Sequence, residues 1–301
     1  MTFIDDVRAD LHLAVIDKAV ACRDTPPVFD WLLTAFSYQG VSDQVARTYI
    51  ERNGRATWSS LVPAFEAGPA CPRLRSYWHY EGCRYNKASF SCANPEQIAD
   101  CLVPRPRLRN GRLNQTAASF FLFVRDITKG DLVGWIDDRL SCSPEADRQE
   151  ALIGPLRNVH GVGDKILTMT LSDLLLGAST DRPVWFETGA AMIAIDTLVH
   201  NFLHRTGILH GCGKAHQYGA GCYAQDGCAD IIKNLSKLID TRTFNRQFPR
   251  DFPRFVQHAI WRFCAADGLD LCNGNRIDDC KPCEISYCQL FGICERKQLK
   301  T

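Results

Sequence analysis

The sequence predicts an all-α protein. Apolar residues recur at helical spacing through most of the chain, no convincing strand pattern appears, and the breaks fall in loops rich in glycine and cysteine. The 301 residues are 46% apolar and 23% charged. That is ordinary globular composition, with material for one large core or two smaller ones.

The elements follow in order. Phe3, Ile4, Val7, Leu11, Ala14 and Val20 form an amphipathic stripe. Pro26-Pro27 precedes an apolar segment over 28–36. Ser42 suits the N-cap of a helix over 43–52, which Gly54 can end. A further helix covers 57–66. Residues 67–110 break the pattern and hold Cys71, Cys83, Cys92 and Cys101, so they read as a loop-rich insertion. Helical spacing returns over 114–128, near 131–140, in short pieces over 144–159, and over 164–176. A loop is expected over 177–189, then an apolar helix over 196–205 and a Gly- and Cys-rich loop over 207–227. Segments 228–238 and 252–264 are the last helices, and a cysteine-dense tail follows.

The net charge of +1 neither favours nor excludes nucleic acid. Local clusters matter more. Arg105, Arg107, Arg109 and Arg112 form one, and Arg242, Arg246, Arg250 and Arg254 recur every four residues. Both suit solvated surface or phosphate contact. No apolar run is long enough to span a bilayer, and the first residues lack a basic segment before an apolar run. The expectation is an intracellular protein without a membrane partner. The 15 cysteines then point to metal ligation rather than disulfides.

Three places carry chemistry. Val159-His160-Gly161-Val162-Gly163-Asp164-Lys165 reads as a helix end, a glycine turn and a new helix. The free amides of such a turn favour an anion such as phosphate and fix position on DNA without reading sequence, although the same words also suit a plain helical connection. Lys165, in the first turn, either pairs with phosphate or attacks a sugar carbon as a neutral amine. Asp196 either caps the helix behind it or stabilises positive charge developing on a deoxyribose; one carboxylate could do both. In the tail, Cys272, Cys280, Cys283 and Cys288 give Cys-x7-Cys-x2-Cys-x4-Cys, with Cys294 as an alternative fourth ligand. Four such thiolates suit a [4Fe–4S] cluster or zinc. The other cysteines read as buried small residues or, with His79 or His216, as a second metal site. His160, His200 and His204 read as packing or phosphate-adjacent groups.

The motifs Gly161-Val162-Gly163-Asp164-Lys165, Ile193-Ala194-Ile195-Asp196-Thr197 and Arg205-Thr206 resemble the helix-hairpin-helix DNA glycosylases of the endonuclease III type. Phe36-Ser37-Tyr38-Gln39-Gly40-Val41-Ser42-Asp43 looks like that family's Ser-x-Gln-x-x-x-Asp segment, Gly111 to Ala117 like the start of a later barrel helix, and the tail cysteines like its iron–sulfur loop. These stretches fall in the family's order between about residues 28 and 288. The resemblance implies two helical lobes with a cleft between them: a six-helix barrel-like domain with the hairpin over 27–176 (insertion 67–110), and a cluster domain of 1–26 plus 185–301. It implies a monomer that flips a damaged or modified base out of double-stranded DNA and cleaves its glycosidic bond.

By the same resemblance Lys165 would form the Schiff base and nick the strand by β-elimination, and Asp196 would be the catalytic carboxylate. Gln39, His160, Gly161, Val162, Gly163 and Arg205 would contact DNA, and Tyr38 and Asp43 would border the base pocket. A [4Fe–4S] cluster would be the cofactor, with zinc the alternative. A monofunctional glycosylase on a non-standard base, or a DNA-binding module without chemistry, is the competing reading. The sequence departs from the family in the long connection from Lys165 to Asp196, in Leu198 where a histidine is common, and in the insertions at 67–110 and 207–227.

Overall fold

The computed structural model describes residues 3–36, 43–81, 83–86, 88–103, 112–178 and 181–299. Among them are fifteen α-helices and no sheet, as the apolar spacing predicts. The helices are α1 Phe3–Leu13, α2 Ile16–Ala21, α3 Thr25–Phe36, α4 Asp43–Asn53, α5 Trp58–Glu66, α6 Tyr77–Tyr80, α7 Arg112–Asp126, α8 Leu132–Cys142, α9 Arg148–Leu156, α10 Asp164–Gly177, α11 Pro183–Ala191, α12 Thr197–Arg205, α13 Ile208–Gly211, α14 Cys228–Ser236 and α15 Pro253–Cys264. One isolated bridge pairs Asn86 with Ser91. The chain divides into two compact units, Ile4–Thr188 and Met1–Phe3 with Gly189–Thr301.

In the larger unit α7 is the central helix. Ala117, Ala118, Phe120, Phe121, Leu122, Phe123 and Val124 are all buried, and a helix apolar on every side belongs in a core. Phe120 stacks on Phe29 of α3 with centroids 4.7 Å apart, and Phe36 meets its edge at 5.2 Å. The Asp30 carboxylate accepts the amide of Trp58 at 2.7 Å, which fixes α5 on α3. Helix α3 starts earlier than expected because Pro26 and Pro27 occupy its first turn, where a missing N–H leaves no bond unmade.

The expected loop over 177–189 is largely helix. Gly177, Asp181, Pro183 and Gly189 read as breakers, but Pro183 opens α11 as its first residue. Buried Trp185 anchors that helix: its indole N–H donates to Asp137 at 2.8 Å, and the Arg182 guanidinium lies 4.7 Å from its ring centroid. The helix has almost no apolar stripe, so spacing alone could not reveal it.

The smaller unit packs α12, α14 and α15 around Ile195, Val199, Leu203, Leu209, Ile232 and Val256. The recurring arginines do not form one surface. Arg254 is buried, bonds Gln257 and lies over the Phe3 ring. Phe3 also stacks on His258 at 4.2 Å. Burial, with Arg254 and Arg262 nearby, lowers the His258 pKa to about 4. The neutral ring therefore favours folding above the unfolded-state pKa of about 6.5, and that contribution is lost as pH falls from there toward 4. Thermal unfolding at graded pH should lose up to about 3 kcal/mol across this window, and His258→Phe should flatten the loss. A wild-type profile that is already flat would show that His258 does not titrate in this way.

Candidate metal centre and hairpin

The hairpin forms where the glycines predict it. Helix α9 ends at Leu156, and the Val159 amide donates to the Leu156 carbonyl at 2.9 Å. Gly161 has φ +78°, and a Cβ there would also meet the Thr116 hydroxyl at 3.3 Å. Helix α7 holds the turn from below: Thr116 Oγ1 donates to the His160 carbonyl at 2.7 Å, and Ser119 Oγ accepts the His160 amide at 2.7 Å. Arg157 laces the two helices, with Nε donating to Asp164 at 2.9 Å and Nη2 to Glu150 at 2.9 Å. Val162 is buried, so only its backbone can face a ligand. Gly163 is extended, at φ −97°, and puts no side-chain cap on α10. Lys165 is half-buried in the first turn of α10.

Beside the turn lies a cleft of about 1170 Å³, lined by Tyr77, Trp78, Tyr85, Gln115, Asn158 and His160 among others. The insertion supplies its aromatic wall. Tyr80 Oη donates to the Gln115 carbonyl at 2.9 Å, and Gln115 Nε2 donates to the Tyr85 carbonyl at 3.2 Å.

The second site lies in the smaller unit. His200 of α12, His216, Cys222 and Cys228 bring one ligand atom each within 4.8 Å of one another and could hold a metal ion. His200 Nδ1 lies 3.3 Å from Cys228 Sγ and 3.4 Å from Cys222 Sγ, and His216 Nε2 lies 3.4 Å from Cys228 Sγ. Both sulfurs are fully buried. Cys228 donates to Cys222, which lowers the Cys222 pKa despite burial, with further bonds from His200 and the Gly219 amide. The same bond, with burial, raises the Cys228 pKa. Two sulfurs and two imidazoles make the donor set of a single soft or borderline cation. Gly227 lets the loop close, because a Cβ there would stand 2.2 Å from the Gly221 carbonyl oxygen.

By sequence alone His200 reads as a packing or phosphate-adjacent group and His216 as a possible ligand. The available signal was the even spacing His216-x5-Cys222-x5-Cys228, which required His200 as a fourth member from another element.

Asp196 adjoins this centre. It is the N-cap of α12, and Oδ1 accepts the Val199 amide at 2.9 Å. Its carbonyl accepts the His200 amide at 3.0 Å. The loop that carries His216 and Cys222 grips the preceding residue: Tyr223 Oη accepts the Ile195 amide at 2.9 Å and donates to the Ile195 carbonyl at 3.3 Å, and Tyr218 Oη reaches the same carbonyl at 3.5 Å. The Tyr218 ring lies 5.8 Å from His200. Burial, then the Asp196 charge, raise the Tyr218 pKa.

The tail cysteines do not all share one place. Cys272, Cys283 and Cys288 line one pocket, and the fourth thiol there is Cys294. Cys280 is exposed; its amide donates to Asp278 in a surface turn at 3.0 Å. Cys264 donates to Cys272, lowering the Cys272 pKa against burial, with Arg205 adding to the effect. Arg205 does not reach solvent as a DNA contact must. It is 2% exposed, lines the same pocket and donates from Nη2 to Asp279 at 2.9 Å. Its Nη1 is buried with no hydrogen-bond partner.

Tyr38 and Gln39 lie outside the described residues, as does the side chain of Asp43, although Asp43 opens α4. No protein family, curated protein or solved structure matches the chain in comparison. Among the described residues no helix is long and apolar enough to cross a membrane.

Proposed function

We propose that the protein is a base-excision DNA glycosylase whose Lys165 also gives it lyase activity. The observation that carries this reading is the hairpin. A tight turn with Gly161 at positive φ is held by Thr116 and Ser119 and leads straight into a helix whose first turn carries Lys165. A helix start reached through a tight glycine turn is suited to a DNA phosphate. Lys165 then supplies the amine that attacks the sugar carbon, displaces the base and forms a Schiff base, from which β-elimination nicks the strand. Asp196 supplies the carboxylate that stabilises positive charge on the sugar.

The His200–His216–Cys222–Cys228 group holds zinc in this reading, because two sulfurs and two imidazoles suit that ion. Its place behind Asp196 makes it structural. Cys272, Cys283, Cys288 and Cys294 would hold the [4Fe–4S] cluster. The buried, unpartnered Nη1 of Arg205 fits such an anionic, sulfur-rich group, which accepts hydrogen bonds.

Release of base from duplex oligonucleotides carrying oxidised pyrimidines and bulkier modified bases tests the reading. Gly161→Val should weaken duplex binding, because it combines strained φ with crowding against Thr116, and should lower the melting temperature by a few degrees. No base release from any duplex in the panel would leave only the DNA-binding reading.

A further inference from the structure

Helix α6 divides its aromatic residues between two environments. Tyr77 and Tyr80, three positions apart, share the face toward α7. The Tyr77 amide donates to Asp126 at 2.7 Å, its ring lies 5.7 Å from that of Phe123, and Tyr80 is buried. Trp78 lies off that face and is 64% exposed, although it lines the cleft beside the hairpin. An indole left in water forgoes the burial that usually holds it in a fold. Its neighbour Tyr77 meets it at an interplanar angle of 79°, so the two rings do not stack.

The same cleft gathers the amides of Gln115 and Asn158 and the imidazole of His160. Amides offer both donors and acceptors to the edge of a ring. The charged side chains that line it are one carboxylate, Glu81, and one guanidinium, Arg84, so their charges balance. An aromatic, amide-bearing and balanced cleft suits a planar heterocycle better than a phosphate. Its volume of about 1170 Å³ exceeds the roughly 300–1,000 Å³ of a drug-sized site, which leaves room for a sugar beside the ring. His160 belongs to both the cleft and the turn that Thr116 and Ser119 hold. A base in the cleft therefore has its own phosphate, or the next one, beside the turn.

We propose that this cleft binds an unpaired nucleotide of a DNA strand, with its base stacked on Trp78 and the edge of the base facing the Gln115 and Asn158 amides. The proposal rests on the hairpin as a phosphate grip in the reading above. It requires neither Lys165 nor any bond cleavage.

Binding of the full-length protein to duplexes carrying one 2-aminopurine, either unpaired in a bulge or paired with thymine, tests it at fixed salt. The bulged duplex should bind about tenfold tighter than the paired one, and its fluorescence should fall as the base stacks. Trp78→Ala should remove both the preference and the fluorescence change while keeping affinity for the paired duplex and the melting temperature. Tyr287→Ala, which removes an exposed ring outside the cleft, should keep all four. Equal affinity of the wild-type protein for the two duplexes, or a preference that survives in Trp78→Ala, would overturn the proposal. Trp78-dependent quenching of the free 2-aminopurine nucleotide, without preference for the bulged duplex, would also overturn it and assign the cleft to a free nucleotide. A preference lost with Trp78 stands even where no base is released, and base release without the preference keeps the glycosylase reading and ends this one.

Discussion

Cys222→Ser is expected to lose one metal equivalent and to lower the melting temperature of the protein by on the order of 10 °C. The sulfur it removes is fully buried and faces His200 at 3.4 Å. Removing one ligand leaves two imidazoles and a buried thiol without their common partner. Loss of such a set costs about 3–5 kcal/mol, and each kcal/mol is worth roughly 2–4 °C in a chain of this class. The effect should extend to Asp196. His200 sits on the helix that Asp196 caps, and Tyr218 and Tyr223 reach Ile195 from the same loop. Base release should therefore fall even though none of the four ligands touches DNA in the proposed mechanism. Elemental analysis and calorimetry check the first part, and base-release kinetics the second. Cys212→Ser alters an exposed thiol of the same loop and should leave metal content and melting temperature unchanged. Full metal content in Cys222→Ser would remove that residue from the ligand set.

Lys165→Ala is expected to abolish strand nicking and to slow base release on the order of a thousandfold or more, as removal of a nucleophile does. Duplex affinity should change less than about tenfold, because the backbone turn and the start of α10 remain. Gel assays of nicked product, with binding measured at fixed salt, separate the two. If nicking is lost and base release is kept, Lys165 serves only the lyase step and the enzyme hydrolyses the glycosidic bond by another route.

Much of the helical order was legible because amphipathic helices announce themselves by spacing. The segments behind α4, α5, α8, α10 and α12 carry apolar stripes with recognisable breaks or caps, and Asp196 was recognisable as an N-cap from its place before the apolar run. Helix α11 was hidden because Pro183 and Gly189 imitate a loop and its apolar residues face more than one way. The hairpin was legible from two glycines, but only Gly161 needs its glycine for φ. Gly163 is extended.

The His200–His216–Cys222–Cys228 group, which could hold a metal ion, was harder, for a reason of chain geometry. Its ligands come from α12, from an irregular loop and from the first residue of α14, and only closure of that loop at Gly227 joins them. The tail shows the same limit. Cys280 fits the spacing better than Cys294, but an aspartate two residues earlier turns its backbone outward, and spacing cannot show which way a turn faces. Arg205 ends a helix, where a charged side chain usually meets water. Here Asp279 and the thiol pocket draw it inside.

Borohydride reduction during incubation with duplex DNA carrying an abasic site tests most directly whether Lys165 attacks the sugar. A covalent protein–DNA adduct is expected in the wild-type protein, mapped to the peptide that contains Lys165 and absent from Lys165→Ala. An adduct of equal yield in Lys165→Ala, or none in the wild-type protein, would contradict it.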